Sequence, residues 1–273
     1  MKNCFQVKLI ISSARYVDPI KTDILFDCTY SEPNCSSIDE FLKRLYEVNK
    51  LVPSPSDFNP LQAQLVLLGA VAAVESYFRS VFRKCIISDA YTSNCVVNKE
   101  ISFGAALHVP KHMLPEAIME RFTFVSKKTV NDALRDIIGF KGNFPPDFEY
   151  ALDQYVKVCH LRHCSVHRFG KLGTNNAIAL GLGDHHKNIE KPLRLNYESI
   201  QRSIAVIINF AITVNNLIFN LLIYRLPPES WSGVYKNDKK LFKKYFDIFE
   251  DTVTSSVVAK DMRSWYLEFL ETR

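Results

Sequence analysis

Residues 155–170 read Tyr155-Val-Lys-Val-Cys-His-Leu-Arg-His-Cys-Ser-Val-His-Arg-Phe-Gly170. Ten consecutive positions in this stretch hold three histidines (His160, His163, His167), two arginines (Arg162, Arg168) and two cysteines (Cys159, Cys164). Upstream, Pro146 or Asp147 opens a run in which Phe148, Leu152, Tyr155, Val156 and Cys159 recur at helical spacing. Gly170 and Gly173 stop it. The cluster is therefore expected at the C-terminal end of a helix, with its neighbours supplied by the long apolar runs on either side.

Leu61 to Arg83 is rich in alanine, leucine and valine, and its polar positions (Glu75, Ser76, Arg79, Ser80, Arg83) fall in the second half. This pattern predicts a helix whose first half is buried nearly all round. Tyr197 to Tyr224 is the second long run, ended by Leu226-Pro-Pro228. Its stretch from Ile204 to Ile223 is long and apolar enough to raise the question of a membrane span. Asn209, Asn215, Asn216 and Asn220 lie inside it, which favours the central helix of a bundle and no membrane.

Shorter helices are expected over Pro115–Arg121, Thr129–Phe140 and Asp238–Asp251, with a last one ending near Leu270. Asn94–Val109 has strand-like pieces, and residues 173–193 read as a loop with a strand at Ala177–Gly181. Near the N-terminus, Phe5–Ser12 and Asp23–Thr29 are β-prone. Ser37-Ile-Asp-Glu40 has the form of a capping box opening a helix to about Asn49, and Val52-Pro-Ser-Pro-Ser-Asp57 breaks the chain. The expected fold is mostly α: an up-and-down helical bundle over residues 57–226, a small N-terminal α/β appendage over 1–56 and a helical C-terminal extension over 227–273.

The chain has 273 residues, 47% hydrophobic and 23% charged, which fits a globular protein and not a disordered one. A net charge of +5 is compatible with an anionic partner without specifying one. The distribution is more telling: from Arg162 to Arg202 seven basic side chains accompany three acidic ones. Seven cysteines with no Cys-x-x-Cys pair, and no apolar leader in Met1–Lys8, point to reduced thiols and a cytoplasmic location.

A long Ala/Leu helix with an internal glutamate, then a helix ending in Arg-His-x-x-x-His-Arg-x-Gly, then another long apolar helix resembles the HEPN family. The resemblance covers about residues 57–226. The family consists of α-helical domains, often dimeric, and many members are metal-independent endoribonucleases. Its motif is an arginine followed, after four to six residues, by a histidine, often with a polar residue directly after the arginine. Arg162, His163 and His167 match it here. The resemblance implies an HEPN-like bundle with a site lined by two Arg162/His167 sets across a homodimer, and an RNA substrate. By analogy it also implies a toxin or phage-defence role, with an antitoxin or other regulatory protein as a possible partner. It further implies that Glu75 supports Arg162 through an ion pair.

The chemistry can be read from the residues as well. Cutting RNA without a metal requires proton transfer from the 2′-hydroxyl, protonation of the leaving 5′-oxygen and stabilisation of charge on the phosphate. Histidine titrates near neutrality, so His167 suits the proton transfer, with His163 in support. Arginine keeps its proton and presents a planar fork, so Arg162 suits the phosphate. Arg168 and Lys171 are placed to hold the RNA backbone. No cofactor is called for. On a regular helix, five residues turn through roughly 140° and rise about 7.5 Å, so Arg162 and His167 are not side by side, whereas His163 and His167 are.

Plainer alternatives stand beside each of these. Arg162, His163, His167, Arg168 and Lys171 are also what a solvated helix end looks like, and Glu75 also suits a surface. The domain could be a catalytically silent HEPN-like module that dimerises or binds a partner. His160, His163, Cys164 and His167 offer zinc-compatible ligand types, although neither His-Glu-x-x-His nor a cysteine knuckle is present.

Overall fold

The computed structural model describes residues 11, 12, 14–254 and 261–273. Among these the chain forms eleven α-helices and no strand. Two units separate between Asn34 and Cys35.

In the first unit, Asp23–Thr29 is not extended as expected. Asp23–Leu25 makes one 3-10 turn, and the Asp27 carboxylate accepts from both the amide (2.9 Å) and the hydroxyl (2.6 Å) of Thr29. A side chain that captures the backbone two residues on favours a turn over a strand. Most of the expected strand at Phe5–Ser12 lies outside the described residues.

The larger unit starts with α1 (Ser37–Asn49). This helix, expected in an N-terminal appendage, is built into the main core through Ile38, Phe41, Leu42 and Leu45. Its cap is Ser36, which accepts from the Asp39 amide at 3.1 Å. Ser37 instead sits buried in the first turn and shares a hydrogen bond with Ser80, so the cap lies one residue earlier than expected and without the reciprocal half of a capping box, the Asp39 carboxylate accepting from Thr252. α2 (Pro60–Ser88) begins with Pro60 behind the Asn59 cap. α1 and α2 run antiparallel, since Ser37 meets Ser80 at one end and Gly69 faces Val48 at the other.

The stretch expected to contain strand pieces folds as α3 (Ala90–Val96) and α4 (Phe103–His108), each capped by a side chain, Asp89 and Ser102. α5 (Leu114–Met119) and α6 (Lys127–Ala133) follow. α6 continues into a π-helical turn, Leu134–Ile138, ended by Gly139 at φ 79°. Next come α7 (Pro146–Arg168), α8 (Thr174–His185), α9 (Tyr197–Tyr224), α10 (Tyr235–Phe249) and α11 (Met262–Thr272). The expected strand at Ala177–Gly181 is thus part of α8. Gly181 kinks that helix at φ 105°, and Ala177 and the buried Asn176 pack toward α7.

α7 lies antiparallel to α2 and α9. The Tyr155 ring stacks on Phe210 (centroids 4.3 Å, planes 9° apart), and Phe78 of α2 joins the same cluster. Burying an aromatic ring of this kind is worth several kcal/mol in a core, by the roughly 3–5 kcal/mol that its deletion costs. Gly170, just past α7, abuts Gln64 near the start of α2. Asn49, at the end of α1, exchanges hydrogen bonds with Gln201 in the second turn of α9. The motif end of α7 therefore lies at the same end of the bundle as the first turns of α2 and α9 and the last turn of α1.

α2 and α9 are both long and apolar enough to cross a membrane, with 61% and 44% of their most apolar windows buried. The asparagines of α9 divide by function. Asn215 is buried, accepts from the Tyr77 hydroxyl at 3.1 Å and donates to the Phe249 carbonyl at 2.7 Å. Asn209, Asn216 and Asn220 continue an exposed stripe begun by Glu198 and Arg202.

Candidate functional site

α7 starts with Pro146 and the acidic Asp147 and Glu149, and ends with His167 and Arg168. That charge order suits the helix dipole at both ends. Its buried stripe is Phe148, Leu152, Tyr155 and Cys159. Arg162 follows Cys159 by three residues and Tyr155 by seven, so it continues this stripe at the open end of the bundle. It is only partly exposed, and its Nε is buried without a hydrogen-bond partner.

His163 and His167 lie on another side of α7, both exposed, with ring centroids 4.5 Å apart. Partial burial, followed by the neighbouring charges of His167, His160 and Arg162, holds His163 below the ordinary histidine value. A larger share of it is therefore neutral at pH 7 and able to accept a proton. His160 stands one turn back, its Nδ1 3.1 Å from Asn176 Oδ1. The Asn176 amide nitrogen is 3.2 Å from Cys164 Sγ. The acceptor at Asn176 places the His160 proton on Nδ1 and leaves Nε2 as the free acceptor of a neutral ring. Nothing in Thr174-Asn-Asn176 signalled that anchor, because the contact depends on how α8 packs.

The remaining expectations are met unevenly. Glu75 is half-buried on α2, and the anticipated ion pair with Arg162 is not formed; instead the two charges both act on the buried Tyr155 and Cys159. Burial, above all, pushes the Cys159 thiol up to about 12, so it is a packing group and not a nucleophile. Arg168 is committed to Glu190, with Nη2 to Oε1 at 2.6 Å. Lys171 is exposed, and among the described residues no carboxylate pairs with its ammonium. Among the described residues, no group of three or more His, Cys, Asp or Glu side chains is arranged to hold a metal ion.

On the other side of α7, a polar-walled cleft of about 400 Å³ separates it from the first turns of α9. Lys157, Leu161, Ser199 and Arg202 are among its walls, and Arg202 is paired with Glu198 at 2.8 Å.

Past His167 the backbone reverses over two residues with positive φ, Phe169 at 50° and Gly170 at 89°, and both amides donate to the Cys164 carbonyl. Phe169 is 80% exposed. Backbone hydrogen bonds from Leu172 to Lys191, Glu190 to Leu172 and Leu193 to Gly170 then close the base of the segment that carries α8. No known family model, curated protein or solved structure matches this chain.

Proposed function

We propose that the protein is a metal-independent endoribonuclease, built on an HEPN-like bundle, that cleaves RNA by transesterification. The observation that carries this reading is the exposed His163–His167 pair, 4.5 Å between centroids, beside an arginine with an unsatisfied buried Nε. His163, held toward its neutral form, accepts the 2′-hydroxyl proton. The 2′-oxygen attacks phosphorus, the bond to the 5′-oxygen breaks, and His167 protonates that leaving oxygen. The products are a 2′,3′-cyclic phosphate and a 5′-hydroxyl. Arg162 takes charge on the phosphate and Lys171 holds the flanking backbone; Arg168 joins it only by releasing Glu190.

Arg162 and His167 are five residues apart on α7, roughly 140° around the helix, so the reading includes a homodimer in which the arginine of one copy serves the histidines of the other. A toxin or defence role, held in check by an antitoxin or regulator in the cytoplasm, follows by analogy with the family alone.

The test is cleavage of a mixed RNA pool in excess EDTA by wild type and by His167→Ala, His163→Ala and Arg162→Ala, each with wild-type helicity. Cyclic-phosphate ends from wild type, and about 10²-fold or greater loss in the variants, are expected. Equal cleavage by all four would assign the activity to another site or a contaminant. No cleavage by clean wild type would favour the second reading, a catalytically silent module that binds a partner. The exposed Leu61, Leu65, Val166 and Phe169 at or near the helix ends lend that reading its support.

A further inference from the structure

The backbone of Phe169 is strained and its ring faces solvent. A bulky side chain at φ 50° brings Cβ close to the following carbonyl, so a non-glycine residue there is uncommon. A glycine would make the same turn without that conflict, as Gly170 does in the next position. The ring also gains little from burial, being 80% exposed. The position's backbone amide helps to cap α7, but any residue except proline would supply that bond, and the exposed ring adds little burial to offset the backbone penalty.

The setting says what the ring suits. It follows directly on His167 and Arg168, and Lys171, whose ammonium has no carboxylate partner among the described residues, comes two residues later. The nearest carboxylate partner in this segment, Glu190, is already taken by Arg168. An exposed aromatic face among cations matches a nucleobase with its flanking phosphates, since every base has a π-face while the backbone supplies the charge. Bases inside a duplex are already stacked on one another, so such a ring reads only unpaired ones.

We propose that Phe169 is a stacking platform for an unpaired base of the RNA. This rests on the ribonuclease reading, and binding separates the two. Full-length protein carrying His167→Ala is titrated with a labelled 12-nucleotide single strand, the same strand with abasic positions, and its duplex. The partners in the comparison are Phe169→Gly and Phe169→Tyr in that background.

Phe169→Gly is expected to weaken single-strand binding about tenfold, a stacking contribution of roughly 1.4 kcal/mol. Tyrosine should restore it to within about threefold. The abasic strand and the duplex should not distinguish the variants. The glycine variant should melt no lower than its parent, because it relieves the left-handed strain, so a misfolding explanation is removed. Unchanged single-strand affinity in Phe169→Gly overturns the stacking role and leaves the ribonuclease reading standing. Equal losses on all three RNAs, or a change of oligomeric state in place of affinity, overturn it too and assign the ring to general packing or to a second copy. A parent protein that binds none of the RNAs overturns the ribonuclease reading itself, and the platform with it.

Discussion

Replacing Asp89 should unfasten the end of the bundle opposite the motif. Asp89 is 3% exposed, caps α3 by accepting from the Thr92 amide at 2.7 Å, accepts from the Tyr245 hydroxyl at 3.0 Å and pairs with Arg225. It thus ties α2, α3, α9 and α10 together. Loss of the cap alone costs about 1 kcal/mol. Breaking a buried pair by removing one partner costs about 3–5 kcal/mol, because the other charge is left uncompensated. Arg225 keeps the Ile138 carbonyl (2.7 Å), the Thr92 hydroxyl (2.6 Å) and the face of Tyr91 (4.5 Å), so the lower part of that range applies.

Asp89→Ala should therefore lose about 3 kcal/mol in urea denaturation, and Asp89→Asn about 2, since it retains an acceptor for the cap. Combined with Arg225→Met, the loss should be smaller than the sum by roughly 1–3 kcal/mol. Burial alone would raise the Asp89 pKa, but the Thr92 amide, Arg225 and the Thr92 and Tyr245 hydroxyls outweigh it and hold the carboxyl below its usual value. A folded pKa below the unfolded one contributes stability that is present above about pH 4 and lost as pH falls through the folded value. The gap between wild type and Asp89→Asn should therefore narrow below pH 4. Losses under about 1 kcal/mol, or strict additivity with Arg225→Met, would refute the idea of a buried, coupled node.

Two further substitutions test local geometry. Gly139→Ala, at φ 79°, would put Cβ 2.6 Å from a Tyr91 ring carbon and 2.8 Å from Cys95 Sγ, so a loss of about 2 kcal/mol or more is expected by denaturation. Asn176→Ala removes the partner of His160 Nδ1 and should cost about 1 kcal/mol, while nitrogen NMR shifts of His160 should move toward a mixture of tautomers; an unchanged tautomer would mean that Asn176 does not set it.

The long helices were legible because length, periodicity and punctuation agree in them. Pro146 and the Gly170 region bound α7, and Asn196 caps α9 with Ser199 as its reciprocal partner. Where the signals are short, tertiary contacts decide. Ala177–Gly181 has the composition of a strand, yet Asn176 and Ala177 are held against Cys164 and α7, and the segment coils. Asp23–Thr29 is β-prone by residue type, and one carboxylate at Asp27 is enough to turn it. The Ser36 cap was missed because Ser36 and Ser37 are equivalent on paper, and only the contact with Ser80 shows which one faces inward.

The site was legible to the extent that it is local. His163 and His167, four residues apart on one helix, are neighbours by construction, and their pairing needed no tertiary information. Arg162 was expected apart from His167 by helix spacing, and its partial burial comes from continuing the Tyr155–Cys159 stripe to the end of the bundle. The Arg168–Glu190 ion pair could not be read from the sequence: the partner is twenty-two residues away, brought back by the hydrogen bonds that close the α8 segment. The consequence is directional. On a regular helix Arg162 and His167 lie roughly 140° apart, while Arg162 is near enough for its charge to act on His163. The proposed homodimer answers that separation by letting the arginine of one copy serve the histidines of the other, so the composite site depends on the dimer.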